Sequence, residues 1–131
     1  WEIVRDARAL RDLVAHLRRA KRFTFDTETT HLDPLRATLV GLSFSTQPYE
    51  AYYVPLNLEP PILPGGAAAV LAELRPLLED PEIEKCGQNA KYDCLALYGA
   101  GIEVRGLAFD TMIASYCLEP ESRSHGIDAL S

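Results

Sequence analysis

Between residues 22 and 56, apolar side chains return at every second position in three successive runs. These are "RFTFDT", "TLVGLSFS" (Val40, Leu42 and Phe44 on one side) and "EAYYVPL". A period of two is that of a strand with one buried face. The connections "HLDPLRA" and "STQPY" carry proline and polar residues suited to turns, so the three runs are predicted to form an antiparallel meander.

On both sides of the meander the period becomes helical. Leu10, Leu13, Val14 and Leu17 fall at i, i+3, i+4 and i+7 behind Asp6, a natural N-cap, with arginines on the outer face. Helical spacing returns in "AAAVLAELRPLLED", where Pro76 is expected to kink or split the helix. A short strand in "EIEKCGQ" leads to a helix over "NAKYDCLALYGAG", capped near Asn89 and stopped by Gly99 or Gly101. Another strand in "RGLAFD" leads to a helix that Asp110 caps, and "SHGIDALS" opens a last helical pattern. Three strands followed by alternating helices and strands predict one α/β or α+β domain with a mixed sheet.

The meander ends in a conflict. Asp26 and Glu28 stand two apart in "FTFDTETTHLD", so they share one strand face about 6.6 Å apart. Like charges held this close repel. A divalent cation resolves the conflict, and two-metal sites place their ions ~3.5–4 Å apart, within reach of such a pair. A D-x-E alone is a weak motif and more often marks solvated acids at an exposed strand end. The second segment, "GQNAKYDCL", adds weight: Asn89, Tyr92 and Asp93 lie at i, i+3 and i+4, on one helix face. Asp93 brought against the strand would complete a three-carboxylate cluster.

"FTFDTETTHLD", "LVGLSFS", "KCGQNAKYDCLAL", "GLAFDTMIASYCLEP" and "RSHGIDALS" resemble, in this order, the 3′→5′ exonuclease domain of bacterial DNA polymerase I, a family A polymerase. The resemblance covers essentially the whole chain. "GQNAKYD" and "AFDTMIASY" favour this family over the related RNase D and Werner-type exonucleases. It implies an RNase H-like fold and hydrolysis of the 3′ end of single-stranded DNA, for proofreading, with two divalent ions, Mg²⁺ or Mn²⁺. Asp26 and Glu28 would hold the metals as the first motif, and Asp93 as the second. Thr29 and Leu32 would lie against the 3′-terminal nucleotide, Leu32 as an apolar wedge, and Asn89 and Tyr92 would line the same path. The polymerase domain of the parent chain would be the partner. The family's third motif, a tyrosine followed four residues later by aspartate, does not occur after any of the six tyrosines. The expectation is therefore a domain over 1–131 truncated at its C-terminal side, weak or inactive alone.

A net charge of −6 argues against a broad basic nucleic-acid surface, but not against a site in which cations meet phosphate. Three cysteines without CxxC spacing fit neither a disulfide framework nor a zinc site, and suit the cytoplasm. No apolar run reaches the roughly 20 residues of a membrane helix. His16 and His31 are expected at the surface, and Arg123 and His125 in a solvated loop. Lys85 and Lys91 are expected to flank the site. Two rivals use the same features: an RNase D-type RNA exonuclease, and a vestigial domain serving as a spacer or interaction surface.

Overall fold

The computed structural model describes residues 1–122 and 124–130. The chain order is β1 (Glu2–Ile3), α1 (Ala7–Ala20), β2 (Arg22–Thr29), β3 (Leu39–Ser45), β4 (Tyr52–Pro55) and α2 (Gly66–Leu78). There follow β5 (Glu84–Gly87), α3 (Ala90–Gly99), β6 (Leu107–Asp110), α4 (Thr111–Leu118) and α5 (Ile127–Leu130). One mixed sheet has the order β1-β4-β3-β2-β5-β6. β2, β3 and β4 pair antiparallel, as the alternation predicts, while β5 joins β2, β6 joins β5 and β1 joins β4 in parallel. β3 alone opposes the other strands, so β2, β5 and β6 all end at the same edge. That edge, at the carboxyl ends of parallel strands, is where an α/β sheet leaves a crevice.

The core lies on one face of the sheet. Phe23 and Phe25 of β2, Leu42 and Phe44 of β3 and Val54 of β4 are buried there with Leu10, Leu13 and Leu17 of α1 and Val70, Leu74 and Leu77 of α2. Phe23 and Phe44 meet edge to face at 5.7 Å. Asp6 caps α1 as expected, accepting from the N–H groups of Arg8 and Ala9 at 2.9 Å each.

Pro76 does not split α2, which runs unbroken to Leu78. Only two helical residues follow it, so one backbone bond is lost near the end, where buried Leu74, Leu77 and Leu78 hold the turn. Gly101, not Gly99, stops α3. It takes φ +82°, donating to Tyr98 O at 2.9 Å while Ile102 N–H returns to Leu97 O at 2.9 Å. That pair of bonds is a Schellman ending, which needs a left-handed residue.

Towards β6 the covering stops. Leu107, Phe109, Ile113, Tyr116, Leu118 and Ile127 are all exposed, and α4 buries none of its residues.

Candidate active site

The alternation of β2 sends Phe23, Phe25 and Thr27 into the core and leaves Asp26 and Glu28 exposed on the opposite face. Asp26 pairs across the strands with Ser43, and Glu28 with Gly41. Asp93, one turn into α3, is buried at 2 % exposure. Its Oδ1 accepts from the backbone N–H of Thr27 at 2.9 Å and from the Thr27 hydroxyl at 2.6 Å. Thr27 stands between the two strand acids, so these bonds bring the helix acid to them. Thr27 thus acts at the site although its side chain faces inward. Only its place inside "DTE" could have drawn attention to it.

Asp26 feels both of the other acids. Burial raises the Asp26 pKa from its ordinary 3.8 to about 6, and the charges of Asp93 and then Glu28 add to the effect. Burial likewise raises Asp93, against which the two bonds from Thr27 act, while the charge of Asp110 adds to the rise. Among the described residues, no group of three or more His, Cys, Asp and Glu side chains is gathered tightly enough to enclose one ion.

The loop beyond β2 is tied to α3. The Tyr92 hydroxyl lies 2.6 Å from the Thr29 hydroxyl and also donates to the carbonyl of His31. Asp33 N–H donates to His31 Nδ1 at 2.9 Å, which folds the exposed His31 ring back on its own loop. Leu32, between them, is 94 % exposed. Asn89 occupies the N-cap position of α3, but with left-handed φ 55° and ψ 38°, and its side chain caps nothing. The capping expected of it falls to Asp110, whose carboxylate accepts from Asn89 N–H at 3.1 Å and Ala90 N–H at 2.7 Å.

Tyr53 was missed. It pairs with Ser43 beside Asp26, and its ring lies over Gly41: a Cβ there would sit 2.3 Å from the Tyr53 hydroxyl oxygen. Since Gly41 is the partner of Glu28, the phenol borders the acids. A glycine inside "LVGLSFS" marks such a close approach and was the available signal.

The expectations for Lys85 and His125 fail, because both side chains are buried. Lys85 does not flank the site. It is fully buried at the start of β5, with Nζ donating to Asp80 O at 2.6 Å and 5.9 Å from the Phe23 ring centroid. Burial lowers its pKa to about 8. Lys91 is exposed on α3. His16 is half-buried, with Nε2 3.0 Å from Thr46 Oγ1 and 3.2 Å from Glu50 Oε1. His125 is buried, not in a solvated loop: it stacks on Tyr116 at 3.7 Å, and Nδ1 lies 2.7 Å from Ser115 Oγ. Arg123 lies outside the described residues.

A family model described as "3'-5' exonuclease" matches residues 1–131. The DNA polymerase I of Chloroflexus aurantiacus is 47% identical over 117 residues, which is 88% of this chain and 12% of that protein. The DNA polymerase I of Pseudomonas aeruginosa is 41% identical over 135 residues, 100% of this chain and 15% of that protein. The chain therefore spans a small part of the curated relatives it matches. Among solved structures, the "POL domain of Pol1 from M. smegmatis", in complex with DNA primer-template and dNTP, superposes with a TM-score of 0.74 at 25% identity, over 99% of this chain and 21% of that one. No helix among the described residues is long and apolar enough to cross a membrane. With the mixed RNase H-like sheet and a family match over its whole length, the chain belongs to the 3′-5′ exonuclease domain family of DNA polymerase I.

Proposed function

We propose that this chain is the metal-dependent 3′→5′ exonuclease unit of a cytoplasmic DNA polymerase, hydrolysing the 3′-terminal phosphodiester of single-stranded DNA for proofreading. The observation that carries this reading is the pair of bonds from Thr27 to Asp93, which links a third acid to the strand bearing Asp26 and Glu28. Membership of the exonuclease family supports it.

The residues present fit divalent cations. All three are hard carboxylate donors, and the pKa of Asp26 is raised first by burial and then by the charges of Asp93 and Glu28. Mg²⁺ keeps several waters and takes one or two carboxylates with substrate phosphates, so it needs no closed protein cage. Asp26, Glu28 and Asp93 would hold two such ions, Mg²⁺ or Mn²⁺. When bound, they supply a water nucleophile at neutral pH and stabilise the charge on the phosphate and leaving oxygen.

The chain's own residues do the rest. Tyr92 and Thr29 brace the loop that carries Leu32. The exposed Leu32 side chain then offers an apolar wedge to the terminal base, and Asn89, at the exposed start of α3, lies along the same path. A single strand can enter and stack, whereas a paired end must first fray, which favours removal of a mismatched terminus. The exposed apolar face of β6 and α4 supports a further packed segment, which would bring the remaining acid and tyrosine of the family pattern and contact the polymerase domain. On this reading the 131-residue chain alone is weak or inactive.

The test compares this chain with one extended beyond residue 131, on 3′-labelled single-stranded DNA with Mg²⁺ or Mn²⁺. Release of nucleoside monophosphates by the extended chain, lost in its Asp26→Ala variant, is expected. Full activity in the short chain would overturn the account of what it lacks, and an active Asp26→Ala would overturn the nuclease reading. A spacer domain would bind Mn²⁺ no better than Asp26→Ala does, and RNA that competes better than DNA would point to the RNase D class.

A further inference from the structure

Asp110 is the last residue of β6 and the N-cap of α4, and its carboxylate serves two helices at once. Oδ1 accepts from Met112 N–H at 2.8 Å and Ile113 N–H at 3.3 Å, which is an ordinary cap of its own helix. The same oxygen accepts from Asn89 N–H at 3.1 Å, and Oδ2 from Ala90 N–H at 2.7 Å. The second pair belongs to the first turn of α3, 20 residues earlier in the chain.

That turn has no cap of its own. Asn89, in the left-handed region, offers its side chain to no backbone donor, and four N–H groups at a helix start otherwise lack partners. A second tie joins the same two junctions: Gln88, just before Asn89, accepts from the Thr111 hydroxyl and donates to the His125 carbonyl at 3.0 Å. The turn is also closely packed, since a Cβ on Gly87 would stand 2.9 Å from the Ala90 Cβ. The position of α3 at its start is therefore set by the β6–α4 junction.

We infer that Asp110 is a positioning residue for the acidic site: by capping α3 from a neighbouring strand, it holds Asp93 in register with Thr27 and so with Asp26 and Glu28. The step from Asp93 to metal rests on the nuclease reading; the step from Asp110 to Asp93 does not. Asp93 lies three residues beyond Ala90, so a shift of the first turn displaces its carboxylate directly. The two bonds to Thr27, at 2.9 and 2.6 Å, have little slack to absorb it.

Asp110→Ser separates the two roles. Serine is as good a local N-cap as aspartate, so α4 keeps its cap, while one short hydroxyl cannot also span to Asn89 and Ala90. The measurement is amide hydrogen exchange, residue by residue, on the chain in chelator, followed by Mn²⁺ titration. Exchange at Ala90 and Thr27 should quicken roughly tenfold in Asp110→Ser, with Met112, Ile113, Leu42 and Phe44 unchanged. Mn²⁺ affinity should fall by a similar factor. Unchanged exchange at Thr27 would overturn the inference, as would equal acceleration at Leu42 and Phe44, which would make Asp110 a general stability residue. If instead Asp26→Ala binds Mn²⁺ as well as the parent does, the metal reading fails while the exchange result still decides the inference.

Discussion

Removing a charge from the candidate active site should stabilise the protein. In the folded chain the Asp26 pKa rises from 3.8 to about 6. The native state therefore holds this proton more tightly than the unfolded chain, contributing stability that is full below pH 3.8 and lost as pH rises through about 6. Some two units at about 1.36 kcal/mol each would give about 3 kcal/mol. Because Asp26 is an exposed residue, solvent screening reduces this to roughly 1 kcal/mol. Asp26→Asn, which keeps the shape and loses the charge, should therefore be more stable than the parent at pH 7 in chelator by about 1 kcal/mol. That corresponds to an increase in Tm of about 3–5 °C for a domain of this size. Urea melts at pH 7 and pH 3.5 check the sign, because the gap should close at the lower pH, where the parent acid is protonated too. Excess Mn²⁺ should then raise the parent's Tm and leave the variant's unchanged. A variant less stable than the parent at pH 7, or a gap of equal size at pH 3.5, would refute the reasoning.

Lys85 and Gly41, both buried, give two more tests. Lys85→Met should stabilise the chain at pH 7 by about 2 kcal/mol, the burial penalty of about 3 less about 1 for the lost bond to Asp80 O. Because the Lys85 pKa falls from 10.5 to about 8 on folding, the parent should gain stability as pH rises between those values, and the variant should lack that gain in urea melts. Gly41→Ala should cost about 1–3 kcal/mol by thermal melting, since its Cβ meets the Tyr53 ring at 2.3–2.6 Å. Gly41→Ala combined with Tyr53→Ala should recover much of the overpacking part of the loss.

What could be foreseen from the sequence was whatever repeats at short range. Alternation in β2 put Asp26 and Glu28 together on one strand face, and helical spacing put Tyr92 and Asp93 together on α3. Strand β1 escaped notice because it is two residues long and exists only through its parallel partner, some 50 residues away. Lys85 and His125 were misjudged for a related reason. A lysine or histidine is buried only when a carbonyl, hydroxyl or ring that the fold brings against it receives it, here Asp80 O for one and Ser115 and Tyr116 for the other. Asp110 was correctly assigned as a local cap, yet its reach to Asn89 and Ala90 depends on β5 and β6 lying side by side. In each miss the missing knowledge was the identity of a neighbour.

The span of the contact between Thr27 and Asp93 has a kinetic consequence. It joins residues 66 apart, whereas the β2–β3 pairing closes a far shorter loop. Short loops close at lower entropic cost, so the meander should form early and the acids should be driven together late, after the folding barrier. The cost of burying and crowding the Asp26 charge would then be absent from the transition state and present only in the product. Its relief in Asp26→Asn should lengthen the lifetime of the folded chain while leaving the refolding rate nearly unchanged.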